Sequence, residues 1–371
     1  MTSKPALKKI LFYPFKSINL GMTVSISSLW FFLSLFWTLP EATPKAKLSD
    51  YGFFQGVLAE QIPAGQVYPY SLQTPLFTDY AEKLRFVYLP AGQKAKYDDK
   101  EVLDFPVGSA LIKTFYYPID FRKPQKGRRL IETRVLVHEE NGWQAFPYVW
   151  NEEQTEAYLE VAGESTEVKY IDLNGKKKKH AYAVPNVNQC KGCHNRNEKM
   201  SPIGPSARQL NSDLEISDYL VASATSLYHS GNQLKNLDDL GLITGMPDLS
   251  DVPKIVNWQD QSASLNDRAR AWLDINCAHC HRPEGPANSS GLFLSIHNDD
   301  PVSLGIMKAP VATGRASADF SFDIIPGKAD ESILVHRMAS TDPGVMMPEL
   351  GRKTVHEESL QLIRNWINSL P

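Results

Sequence analysis

The 371-residue sequence predicts an α+β fold, a β-rich N-terminal domain followed by an all-α C-terminal domain. Three observations predict it. From Leu48 to about Val187 the chain is rich in Tyr, Phe, Val and Pro, in short segments punctuated by Gly-containing turns. From Leu265, and again from His356, apolar residues recur at helical spacing. Between these regions, Asn232 to Trp258 is loop-rich, with Gly241, Gly245, Pro247 and Pro253.

The elements follow in order. Lys4, Lys8, Lys9 and Lys16 form a basic leader before an uncharged apolar run of about nineteen residues, Gly21 to Leu39, which reads as an export signal. Residues 1–46 are therefore a signal peptide, cleaved near the small residues after Pro40, or an uncleaved N-terminal anchor that keeps the basic end cytoplasmic. No cysteine near the run offers a lipid anchor. Within the β-rich domain, residues 47–212, the strand candidates are Lys83 to Leu89, Ser109 to Tyr117, Leu130 to His138 and Gln144 to Trp150. Pro90-Ala91-Gly92, Lys126-Gly127 and Asn141-Gly142 supply turns, so an antiparallel sheet or half-barrel is expected. Asn174-Gly175 follows the alternating Val168 to Leu173 and precedes Lys176 to Lys179 and His180, which reads as a hairpin with a solvated lysine arm. Ser206 to Asn211 and Asp213 to Tyr228 are helical candidates, and residues 213–262 are expected to link the domains. In the last domain, residues 263–371, the apolar faces are Leu265, Ala269, Trp272 and Leu273, then Leu360, Ile363, Trp366 and Ile367.

All four cysteines lie in two C-x-x-C-H units, Cys190-Lys191-Gly192-Cys193-His194 and Cys277-Ala278-His279-Cys280-His281. That spacing is the c-type haem attachment signature: two thiols for the two vinyl groups of one porphyrin, and an adjacent His for the iron. Cys190, Cys193, Cys277 and Cys280 are thus candidate haem-binding residues, and His194 and His281 the proximal iron ligands. A thioredoxin-like pair would follow a strand in a βαβ unit, which neither motif does. A zinc site would require both units to close on one ion across the long segment between them. Two covalent haems are the cofactors expected, and no cysteine remains for a disulfide.

Met346-Met347-Pro348 lies between the second motif and the last helix, where a Met on a rigid loop suits a sixth iron ligand. Met347 is preferred, with Met346 and Met338 as competitors. For the first haem the candidates are Met200, Met246, His229 and His180, or an open position.

Further stretches carry a resemblance. Tyr70-Ser71-Leu72-Gln73-Thr74-Pro75-Leu76-Phe77-Thr78-Asp79-Tyr80, Phe105-Pro106-Val107-Gly108 with Ile112-Lys113-Thr114-Phe115, Pro147 to Glu152, and Asn186 to Gln189 resemble a family of secreted di-haem c-type cytochromes of Gram-negative bacteria. Asp274-Ile275-Asn276, Ile325-Pro326-Gly327 and Thr341 to Gly351 extend the resemblance over the exported part. It implies electron transfer without naming a partner. The N-terminal half alone is similar in order to cytochrome P460 and the β-sheet cytochromes c′, in which case Lys113 corresponds to a haem-crosslinked lysine.

A net charge of −3 gives no nucleic-acid footprint. Two function classes follow. One is a periplasmic electron carrier, soluble or tethered to the inner membrane, working with other periplasmic or membrane redox proteins. The other is a haem enzyme with an open first haem that binds a small ligand while the second relays electrons. No distal acid–base pair stands out, which favours the carrier.

Overall fold

A computed structural model describes residues 44–214, 231–311 and 313–371. The apolar run Gly21 to Leu39 and most of the helical candidate Asp213 to Tyr228 lie outside the described residues, as does His229. Among the described residues no helix is long and apolar enough to cross a membrane. The described residues belong to one compact α+β unit.

Its centre is a six-stranded antiparallel meander in chain order: β1 (Val67–Pro69), β2 (Glu82–Tyr88), β3 (Ala110–Pro118), β4 (Arg128–Glu139), β5 (Gly142–Trp150) and β6 (Ala157–Leu159). The strand candidates agree to within two or three residues, and Asn141-Gly142 closes the β4–β5 hairpin, with Glu139 opposite Gly142. Both faces of the sheet are covered, which explains why its middle strands read as nearly continuous apolar runs. One face carries Leu84, Phe86, Ile112, Val135 and Tyr148 and packs on Leu48 and Phe53 from the start of the chain. The other carries Val87, Leu111, Leu136 and Ala145, and packs on Cys190, Ala207, Leu210, Leu234 and Leu237.

The hairpin β7 (Glu164–Ile171) and β8 (Lys177–Val184) covers the remainder of that second face, placing Val168, Tyr170 and Tyr182 on Phe115 and Tyr117. Its turn is the expected Asn174-Gly175, and Gly175 adopts φ 78°, the left-handed region that glycine enters without a Cβ penalty. Lys176 to Lys179 are exposed, and two of them pair with carboxylates of the hairpin itself, Lys178 with Asp172 and Lys179 with Glu167. Helices α1 (Val187–Cys193) and α2 (Ala207–Leu210) follow.

The loop-rich stretch contains a helix the sequence reading did not anticipate, α3 (Gln233–Asp239). Asn232 caps it by accepting from the Leu234 and Lys235 N–H groups, and Leu234 and Leu237 turn into the core of the sheet's second face. The stretch therefore packs on the sheet as part of its cover.

The C-terminal part is built on α4 (Leu265–Asn276), α5 (Ile333–Ala339) and α6 (Glu357–Ser369). The expected apolar faces of the first and last meet: Ala269, Trp272 and Leu273 share a core with Leu360, Ile363, Trp366 and Ile367. Trp366 also donates its indole N–H to Asn266 at 3.1 Å, which satisfies the polar edge of a buried ring. The short α5 between them was not foreseen, because seven residues carry too little periodicity to stand out.

The Tyr70 to Tyr80 segment holds this helical part to the sheet. Thr74 accepts from the Trp258 N–H at 3.2 Å and donates to the Val256 carbonyl, and the Phe77 N–H donates to Asn276 at 2.8 Å. The carboxylate of Asp79, almost fully buried, accepts from the Lys353 N–H, the Thr354 N–H and the Thr354 hydroxyl at 2.7, 2.8 and 2.9 Å. Phe77 stacks on His356, with centroids 4.2 Å apart, and the same imidazole meets Tyr80, Trp258 and Trp272.

Candidate functional site: two Cys-x-x-Cys-His units in contact

After β8, Pro185 ends the strand and Asn186 starts α1 with a capping box: its side chain accepts from the Gln189 N–H at 2.8 Å, and the Gln189 side chain accepts from the Asn186 N–H at 2.9 Å. The helix puts Cys190 and Cys193 three positions apart and hence on one side. Cys190 is buried against Val87, Leu111, Leu136 and Ala145 of the sheet. His194 closes the helix. A small hairpin, Asn195–Arg196 with Lys199–Met200, turns the chain back through Asn197 and Glu198, both at positive φ. This return brings the Ser201 carbonyl to 3.1 Å from His194 Nδ1, so Nε2 is the nitrogen left for another partner.

The second unit begins where α4 ends. Asn276 is held by Phe77 and by its own bond to the Trp272 carbonyl at 3.0 Å, and the chain then makes tight turns in which the Cys280 and His281 N–H groups both donate to the Cys277 carbonyl. Gly285 is required here: a Cβ at this position would lie 2.3 Å from the Cys280 carbonyl oxygen. His281 repeats the arrangement of His194. Its Nδ1 lies 3.4 Å from the Ser290 hydroxyl, and its carbonyl accepts from the Leu294 N–H.

The two units touch. Ligand atoms of Cys193, His279 and Cys280 all lie within 4.8 Å of one another, and the Cys280 thiol is 3.9 Å from the Gly192 carbonyl. Around them, Arg282 forks onto Glu101 at 2.6 and 3.1 Å, Arg196 joins the same carboxylate at 3.1 Å, and the Asn197 N–H donates to the Glu284 carbonyl. Leu350, at the end of the Met346-Met347-Pro348 loop, reaches to 3.1 Å from where a Cβ on Gly192 would sit. A cleft lined by Cys193, Ser201, Ile203, Ala278 and His279 opens beside the contact.

The electrostatics follow from burial and from this contact. The close approach of Cys280 and His279 pulls the Cys193 thiol down, and the same contact, with burial, pushes Cys280 up. Burial raises Cys277 to about 12 and also raises Cys190. Burial lowers His194 to about 3, helped by the nearby Lys113 charge, and lowers His281 to about 4. Both imidazoles are therefore neutral at physiological pH, the form that binds a metal. All four cysteines are free. Two sulfurs on one side of a turn, followed by a neutral His whose Nδ1 is already engaged, form a donor set that fits a covalently held haem at each motif.

The remaining ligand candidates separate by environment. Met338 is buried in the helical core, and Met346 is buried as well. Met347 is only partly buried, and its backbone is fixed, with the N–H donating to the Arg337 carbonyl and its own carbonyl accepting from Arg352. Arg352 gathers the carbonyls of Arg337, Met338, Ser340, Met347 and Thr354 and so ties the loop to α5. Met200 and Met246 pack at the edge of the sheet's second core. His180 lies 3.2 Å from the Tyr117 hydroxyl on the β7–β8 hairpin.

Three features were missed by reading the sequence: the contact between the motifs, the participation of His279, and a row of cations on the sheet beside His194. His279 carried a signal only in hindsight, since the x positions of C-x-x-C-H are unrestricted. Lys113 does lie on a strand of the face that covers the first motif. No family model matches the chain, and no curated protein or solved structure matches it significantly. The resemblance to di-haem cytochromes thus rests on the residues themselves.

Proposed function

We propose that this chain is an exported di-haem c-type cytochrome that passes electrons between partner redox proteins of the cell envelope. One observation carries the proposal. In both motifs the His after the second Cys is partly buried, neutral and held through Nδ1, in a chain whose four cysteines all belong to these motifs. Bound covalently, haem supplies a one-electron centre whose potential is set by its axial ligands. The chain's own contribution is to fix and shield. Cys190 with Cys193, and Cys277 with Cys280, provide the thioether anchors; His194 and His281 provide imidazole nitrogen; Met347, on the loop tied by Arg352, is the sulfur donor assigned to the second motif. The Cys193–Cys280 contact brings the anchors of the two motifs together, which supports transfer within the chain and argues for one redox unit.

The same contact favours a second reading. Cys193, His279 and Cys280 offer three ligands of the type that bind zinc, and the two thiols are close enough to form a redox-active pair. The apolar packing of Cys190 and the His194–Ser201 bond have no part in that reading, so it stands behind the first.

Optical and EPR spectra of the holoprotein test the carrier against the haem enzyme: two low-spin six-coordinate haems are expected, and a high-spin haem that binds carbon monoxide would contradict the carrier. Met347→Ala is expected to lower one midpoint potential by on the order of 0.1 V, a fraction of the ~0.8 V span that axial ligands command, and to leave the other unchanged. Unaltered potentials would assign the sixth ligand elsewhere.

A further inference from the structure

The second face of the sheet carries a charge imbalance that neither motif requires. Arg85, Lys113 and Arg134 lie directly opposite one another on β2, β3 and β4, and Lys83 stands in the next row, opposite Phe115. Three of these cations gather over one buried ring: Arg134, Lys113 and Lys83 lie 4.3, 5.1 and 5.9 Å from the Phe115 centroid. One buried carboxylate on this face, Glu132, opposes them. It is already committed to Arg134, by two hydrogen bonds, and to the Tyr182 hydroxyl at 2.6 Å. Glu82 and Asp79 act on Lys83 only at longer range. The Arg85 guanidinium, in a residue 8% exposed, makes one side-chain hydrogen bond, at 3.5 Å to the Lys83 carbonyl, and no carboxylate pairs with Arg85, Lys83 or Lys113 among the described residues.

Arg85 is buried, and Lys83 and Lys113 are partly buried; a fully buried charge without a partner is unfavourable by several kcal/mol. Burial, with the charges of their neighbours, brings both Lys83 and Lys113 down to about 7. A sheet that keeps four cations in two adjacent rows has room for an anion's charge. The row borders the first motif, since Lys113 and Arg134 both act on His194 and on Cys190.

We infer that Lys83, Arg85 and Lys113 form an anion-binding site beside His194, for a carboxylate or small oxyanion. The Arg85 guanidinium offers a planar fork and the two ammonium groups point charges, a combination suited to delocalised negative charge. Two sources fit that chemistry. One is a propionate of the haem held at the first motif, which rests on the di-haem reading. The other is a free anion, which does not.

The test uses the purified holoprotein, its haem content counted by intact mass, with inorganic phosphate and acetate as probes in calorimetry and redox titration. A free-anion site gives saturable binding of one probe, weakened about tenfold or more in Lys113→Gln, the equivalent of one charge-assisted hydrogen bond. A propionate-filled site gives no probe binding, and Lys83→Gln and Lys113→Gln each shift one haem potential negative and lower the melting temperature. If neither probe binds and both variants leave the potentials and the melting temperature unchanged, the inference is overturned. A chain found without haem removes the propionate arm together with the di-haem reading, and probe binding then decides the site alone. Arg85→Gln, read by the same measurements, guards against a lysine variant that fails to fold.

Discussion

Replacing Cys190 and Cys193 together by Ala is expected to leave a chain with one covalent haem instead of two. Thioether bonds at the first motif, as the proposed function requires, would have no other sulfur to use, because the remaining cysteines, Cys277 and Cys280, belong to the second. That second haem is expected to stay. Its motif follows α4, and the core of α4, α5 and α6 is made by Trp272, Leu273, Ile363, Trp366 and Ile367 without help from Cys190 or Cys193. Because Cys193 and Cys280 touch, the proposed function adds a second expectation, a shift in the potential of the remaining haem. Intact mass counts the haems and redox titration reads the shift. Loss of both haems would show that the second motif depends on the first for folding, and an unchanged mass would refute covalent attachment at Cys190 and Cys193.

Asp79→Ala is expected to have the largest effect on stability of any single substitution outside the motifs, about 3–5 kcal/mol. One carboxylate oxygen accepts all three bonds from Lys353 and Thr354, in a place almost closed to water. The backbone adds to the effect. Asp79 sits at φ 46°, in the left-handed region that Asp and Asn tolerate better than Ala. Asp79→Asn keeps both the conformation and one amide oxygen, so it is expected to lose less than half as much. Denaturant titration of both variants measures this, and a double-mutant cycle with Thr354→Val isolates the hydroxyl bond. Equal losses in Asn and Ala would mean that the negative charge, more than the acceptor geometry, holds the segment.

The fold was legible wherever the information is local. Alternation and the Asn141-Gly142 and Asn174-Gly175 turns placed the strands, and the apolar spacing of Leu265 to Leu273 and Leu360 to Ile367 placed two of the helices of the C-terminal part. Helix α3 escaped because the loop residues after it dominated the reading, although Asn232 is a good N-cap and Leu234 and Leu237 lie three apart. The two C-x-x-C-H units were legible as well, since their spacing is itself a chemical signal. What could not be read was whatever depends on pairing across long separations. The Cys280–Gly192 approach spans 88 positions, and the clasp from Phe77 to Asn276 spans 199. The cation row exists only through the register of three strands: Arg85, Lys113 and Arg134 look like scattered surface charges until β2, β3 and β4 align them. The two motifs were expected in separate domains; their contact is what gives the chain the character of a single redox unit under the proposed function.

The most direct test of that function is intact mass, with an alkaline pyridine spectrum and metal analysis, on the protein exported from a host that matures c-type cytochromes. The account predicts two covalently bound haems per chain, one at Cys190 and Cys193 and one at Cys277 and Cys280, and no zinc. A haem-free chain that holds zinc at Cys193, His279 and Cys280, or that joins Cys193 to Cys280 as a disulfide, would contradict it.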